Sequence, residues 1–146
     1  MILFHSEKKS KSKINIKGKL RYKKWIRLLL LEEKKIEGEI NFIFCDDDYL
    51  LVINKQYLQH DTLTDIITFD YSEKQKINGD IFISVERVKM NASEYKVSLR
   101  EELLRVMAHG ILHLCGYKDK TAKEIMLMRT KEDNAIKCYY EMAFHK

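Results

Sequence analysis

His109 and His113 stand four positions apart in a stretch of helical periodicity. On a helix that spacing puts both rings on one face, one turn apart. Two imidazole nitrogens so placed can share one divalent ion at ~2.0–2.1 Å. A third ligand is needed, and the ordered string HGILHLCGYKD offers two. Cys115 lies two residues after His113, about 200° around a helix, and so points away. Asp119 follows Gly116, where the chain can turn back, and is the stronger candidate. Two histidines and one carboxylate leave a coordination position open for water, the arrangement of catalytic rather than structural zinc sites. The chemistry expected is hydrolysis.

The general base is not assigned. The metallopeptidase pattern HExxH places glutamate directly after the first histidine, and here that residue is Gly110. Glu102 lies seven residues before His109 on the same helical face. Two readings of it stand: a hydrogen-bond partner for a ligand histidine, or a glutamate at the core edge or in solvent. Gly110 inside a helix costs about 1 kcal/mol relative to alanine. Close approach of substrate or of another backbone would account for it.

These residues need a scaffold. Ser98-x-x-Glu101 is a capping box opening a helix to about Leu114, and Gly116 ends it. Thr121-x-x-Glu124 opens a last helix to about residue 142. MILFH reads as an edge strand, and SEKKSKSK as a polar loop. Residues 19–34 read as a helix offering Leu20, Trp25, Leu28, Leu29 and Leu31 to a core. Residues 39–45 alternate as a strand. Asp46, Asp47 and Asp48 suggest either a metal site or, preferred here, the cap and acidic first turn of a helix. That helix carries Tyr49, Leu50, Ile53 and Tyr57. Residues 65–71 and 80–84 read as strands, with Asn78-Gly79 in the turn before the second. The expected fold is α+β: a small mixed sheet packed against several helices, with the histidine helix near the C-terminal third.

The 146 residues suit one domain, 1–146, and 45% apolar residues argue against disorder. A net charge of +5 and a pI of about 9.0 fit a polyanionic partner as well as they fit plain lysine richness. No apolar run approaches the ~20 residues of a membrane span. The N-terminal apolar residues precede the lysines, the reverse of a secretory signal, so a cytoplasmic protein without a membrane partner is expected. Cys45, Cys115 and Cys138 are odd in number and far apart, so buried free thiols are the default.

The string HGILHLCGYKD closely resembles the signature HGxLHLxGYDH of the YbeY family of metal-dependent endoribonucleases. Three further segments match in order: Ile53–Leu58 (INKQYL) is similar to LNxxYR, Thr64–Phe69 (TDIITF) to TDVLSF, and Gly79–Ser84 (GDIFIS) to GDIxIS. Glu124, Met128 and Glu132 fall where that family's last helix carries E…M…E. The resemblance implies an α+β fold, a metal taken to be zinc, and single-stranded RNA as substrate. It also implies a cytoplasmic role at the ribosome, in maturation of the 3′ end of small-subunit ribosomal RNA and in ribosome quality control. The basic pI suits an RNA partner.

Two residues depart from the family pattern. The third ligand position, usually His, is Asp119, whose harder oxygen shifts preference toward Mn²⁺ or another harder ion. The family's phosphate-steadying Arg is Leu58, with His60, Lys118 or Lys120 as possible substitutes. Among matched motif positions, Asn54 and Thr64 read as structural, Thr68 is left without a role, and Asp65 and Asp80 are candidates to line a cleft. Two rival functions remain: an RNA-binding ribosome-assembly factor with a mainly structural metal, and a metallohydrolase of small molecules or peptides.

Overall fold

Alternating apolar residues build the sheet. In the computed structural model, which describes residues 1–10, 17–58 and 64–142, four strands are ordered β1-β2-β4-β3. They are β1 (Ile2–Ser6), β2 (Ile36–Cys45), β3 (Ile66–Asp70) and β4 (Lys76–Ser84). β1 and β4 run parallel to β2, whereas β3 is antiparallel to β4. Helices α1 (Lys19–Glu32), α2 (Asp47–Leu58), α3 (Val85–Glu94), α4 (Leu99–Leu114) and α5 (Ala122–Met142) complete the described elements. The fold is α+β with a mixed sheet, as expected. The polar stretch after Ser10, His60 and the side chain of Leu58 lie outside the described residues.

The period-2 alternation sends Ile40, Phe42 and Phe44 of β2, with Ile81 and Ile83 of β4, into the main core against α1, α4 and α5. Cys45 and Ile67 belong instead to a second cluster, with Leu50 and Ile53 of α2. In α1 the buried residues are Tyr22, Trp25, Ile26, Leu29 and Leu30, a stripe at i, i+3, i+4, i+7 and i+8. Leu20 and Leu31, expected to reach the core, are 80% and 71% exposed, because they lie off that stripe. Trp25 is fully buried, and its indole N–H donates to the Ala135 carbonyl of α5 at 2.7 Å.

The expected Asn78-Gly79 turn is absent, and one helix lies where no element was assigned. Asn78 and Gly79 do not form a turn; both lie inside β4. The chain reverses earlier, where Lys74 takes a positive φ of 55° and Glu73 pairs with Lys76. Asn78 instead accepts from the Glu39 N–H at 2.8 Å beside an irregularity of β2. Gly79 is needed for closeness, since a Cβ there would meet the Leu114 side chain at 2.7 Å. Helix α3 was not foreseen. It begins directly at the end of β4, with Ser84 as N-cap accepting from the Arg87 N–H.

Asp47 opens α2 and takes the Ser84 hydroxyl at 2.5 Å and the Arg87 guanidinium at 3.0 Å. The acidic triplet is therefore a helix start tied to α3, in agreement with the cap and acidic first turn expected there.

Candidate metal centre

Capping fixes the length of α4 at both ends. Ser98 Oγ accepts from the Glu101 N–H at 3.0 Å. At the other end Gly116, at φ +105°, lets the Tyr117 N–H reach the Leu112 carbonyl and the Gly116 N–H reach that of His113. This pair of bonds closes the helix in a Schellman turn. The chain doubles back, and Asp119 returns to the face bearing His109 and His113. Beyond it, Thr121 and Glu124 bond reciprocally to each other's N–H and start α5.

The three side chains converge. The two Nε2 atoms are 2.9 Å apart, and Asp119 Oδ2 lies 3.2 Å from each. Donor atoms about 3 Å apart are what three ligands sharing one ion at ~2.0–2.1 Å require. The side chains are 23%, 25% and 38% exposed for His109, His113 and Asp119, so the site is open on one side.

The far nitrogens decide the tautomers. His113 Nδ1 lies 2.9 Å from the Tyr117 carbonyl, which can only accept, so Nδ1 carries the proton. His109 Nδ1 lies 2.6 Å from Glu132 Oε2 and donates to that carboxylate. With both Nδ1 atoms protonated, each neutral ring presents its Nε2 lone pair inward. Two lone pairs and a carboxylate oxygen then face one another with no proton between them. This donor set fits a divalent cation. Without one, the His109 pKa reflects a contest: burial lowers it, but the Glu132 hydrogen bond and the charges of Glu132, Asp119 and Asp65 raise it above the usual value.

Glu132 is the residue that spacing arguments missed. It is 4% exposed and is held from the other side by Arg105, whose guanidinium is 3.0 Å from Oε1. The signal was present. Met128, Glu132, Ala135, Ile136 and Tyr139 form the buried stripe of α5, and a carboxylate in such a stripe needs a partner.

Tyr117 is also fixed. Its hydroxyl donates to Glu33 Oε1 at 2.5 Å, and Lys131 holds the other Glu33 oxygen at 3.1 Å. The carbonyl that orients His113 is thereby braced from α1 and α5.

Other sequence candidates separate. Cys115 is not in the cluster, and burial pushes its thiol up to about 11. Glu102 makes no bond to a ligand histidine; it is 4% exposed beside the site. Asp65 lines the same cavity as His109 and Asp119, and the Asn91 amide lies 3.4 Å away. Asp80 does not line it; it accepts from the Asn41 amide at 3.1 Å. That side chain alternates to the sheet face opposite Ile81, away from α4. Asn54 is buried, the Thr64 hydroxyl bonds the Ile66 carbonyl, and Thr68 sits in β3 opposite Ile81. Lys118 and Lys120 flank Asp119 and are exposed.

Gly110 is explained by packing, not by substrate. A Cβ there would lie 2.9 Å from Ile81 Cγ2 and 3.0 Å from Ile66 Cδ1. Helix α4 therefore rests against β3 and β4 at the level of its two histidines.

The chain is similar to known proteins along nearly its whole length. A family described as Endoribonuclease YbeY matches residues 5–140. An Endoribonuclease YbeY of Flavobacterium psychrophilum is 57% identical over 125 residues, covering 86% of this chain and 89% of the relative. One from Flavobacterium johnsoniae is 59% identical over 116 residues, covering 80% and 84%. The solution structure of a Thermotoga maritima protein is similar with a TM-score of 0.66 at 27% identity, covering 99% of this chain and 93% of that one. With the family matching nearly end to end, and relatives above half identity across most of their length, the chain belongs to the YbeY endoribonuclease family.

Proposed function

We propose that residues 1–146 form one metal-dependent endoribonuclease domain that cuts single-stranded RNA, with His109, His113 and Asp119 as the metal ligands. The observation that carries this reading is the pair of inward Nε2 lone pairs facing the Asp119 carboxylate. The relatives named endoribonuclease supply the substrate class. A divalent ion bound there supplies Lewis acidity, drawing charge from a scissile phosphate and making water more acidic. The chain's own residues do the rest. Glu132 and the Tyr117 carbonyl hold the rings in the ligating tautomer. Exposed Lys118 and Lys120 place positive charge where a phosphate would approach.

Zinc is the first candidate ion, with Asp119 moving preference toward Mn²⁺. The proposed setting is the cytoplasm, with ribosomal RNA of the small subunit and the ribosome as partners, in 3′-end maturation and quality control. No described helix is long and apolar enough to cross a membrane. A purely structural ion is disfavoured by the exposure of the ligands.

The test is cleavage of end-labelled RNA by metal-loaded protein. Single strands should be cut and duplexes and peptides spared, and a chelator or His113→Ala should abolish cutting. Binding should weaken with salt at a log–log slope of about −0.7 per phosphate contact. Cleavage that survives chelation would refute the reading.

A further inference from the structure

A cavity of about 450 Å³ opens beside His109 and Asp119, between α3, α4 and α5. Its volume suits a nucleotide-sized ligand. Two features make it more than a crevice. The first is Glu102, 4% exposed, whose carboxyl receives no hydrogen bond from the described residues although it lines the cavity. Its oxygens are not sealed from solvent, so donors of a ligand can reach them. Burial, and next the charge of Asp65, push its pKa up, while Arg105 and Arg129 of the same cavity oppose this and favour the carboxylate. The second is the rim. Tyr95 and Met126 line the mouth and are 57% and 71% exposed, while Val106 and Met128 form buried apolar wall. An exposed aromatic ring and thioether beside an apolar wall offer stacking surfaces to a planar ring.

Planarity together with unmet acceptors selects the ligand. Guanine is the common RNA base whose Watson–Crick edge carries two adjacent N–H donors, matching the two oxygens of one carboxylate. Adenine and cytosine would set a ring-nitrogen lone pair against it, and uracil offers one donor flanked by carbonyls. Asp65 adds a second acceptor on the cavity wall, since the Asn91 amide reaches only one of its oxygens, and at a long 3.4 Å.

We propose that this cavity seats one unpaired guanine of the RNA strand next to the scissile phosphate, with Glu102 accepting from its N1–H and N2–H and Tyr95 and Met126 stacking on its face. The proposal rests on the RNA-cleaving reading for its biological use, but base selection can be measured without cleavage. The metal-loaded full chain is titrated separately with the 5′-monophosphates of guanosine, inosine, adenosine, cytidine and uridine. The phosphate is common to all five, so differences report the base.

Guanosine monophosphate should bind about tenfold more tightly than the inosine compound, which lacks only the N2 amine. Glu102→Gln should abolish that difference while keeping metal content, and Tyr95→Ala should weaken all five. The parent's own discrimination requires no variant to fold. Equal affinities, no binding of any nucleotide, or full discrimination in Glu102→Gln would overturn the proposal. So would a second metal ion per chain that guanosine monophosphate displaces, which would assign the cavity to a cation. Guanine selection without RNA cleavage would instead sink the nuclease reading, and with it the place beside a scissile phosphate, and leave the guanine-binding cavity standing. RNA cleavage without any base preference would do the reverse.

Discussion

Glu132 on α5 and His109 on α4 are joined by a 2.6 Å hydrogen bond between a carboxylate oxygen and Nδ1. It fixes which nitrogen of the ring is free to ligate. Glu132→Ala should lower metal affinity about 10- to 100-fold, the usual cost of losing such a partner. Glu132→Gln should cost less, because its amide oxygen still accepts. Competition with a chromogenic chelator measures both. Unchanged affinity in Glu132→Ala would show that the ring holds its orientation by packing alone.

Among single ligand replacements, His109→Ala and His113→Ala should each leave the purified protein without its one ion per chain. Cys115→Ser should keep full metal content, since the thiol is outside the cluster and raised to about 11. Elemental analysis decides. Metal lost from Cys115→Ser would promote the sulfur to ligand.

Asp119 is where the chain departs from its family's pattern. Asp119→Ala should weaken the ion at least tenfold, whereas Asp119→His should retain it and move selectivity from Mn²⁺ toward Zn²⁺. Affinities for both ions, measured beside the parent, test this. Parent-like binding by Asp119→Ala would reduce Asp119 to a loop carboxylate.

Gly110→Ala sets two effects against each other. Helix propensity gains about 1 kcal/mol, while overpacking against Ile81 and Ile66 costs about 1–3 kcal/mol. The net change in unfolding free energy should be a small loss. Metal affinity should fall by more than that, because His109 and His113 ride on the displaced segment. Denaturant unfolding and chelator competition on the same sample separate the two.

Much of this was legible locally. The Thr121 capping box, the Ser98 cap, the Gly116 stop and the placing of both histidines on one helix face depend on neighbours within a turn, and each is present in the fold. What failed depended on partners distant in sequence. Asn78-Gly79 has hairpin chemistry, yet β2 and Leu114 claim both residues for a strand. Gly110 answers to β3 and β4, not to a ligand. Glu132 could be named as odd within an apolar stripe, but its partner lies 23 residues away on another helix.

The half-buried Asp65 predicts a pH dependence. Burial raises its folded pKa above the ordinary 3.8, with Glu132 adding to this and His109 and Arg87 opposing. The folded state then holds the proton more tightly than the unfolded state. Its contribution is fully present below 3.8 and is lost as pH rises through the folded value. Metal-free Asp65→Asn should therefore gain in Tm over the parent as pH rises through that window and hold the gain at neutral pH. Thermal unfolding from pH 3.5 to 7 checks the sign.

Trp25 is the chain's one tryptophan, and its indole is bonded to Ala135, three residues beyond Glu132 on the same helix. A native fluorophore is thus clamped to the element that aligns the metal site. Its emission should redden as α5 lifts away, giving an optical readout of that helix's docking without any attached dye. Stopped-flow traces after chelator addition would then time whether α5 loosens when the ion leaves, or stays seated with the ligands already aligned.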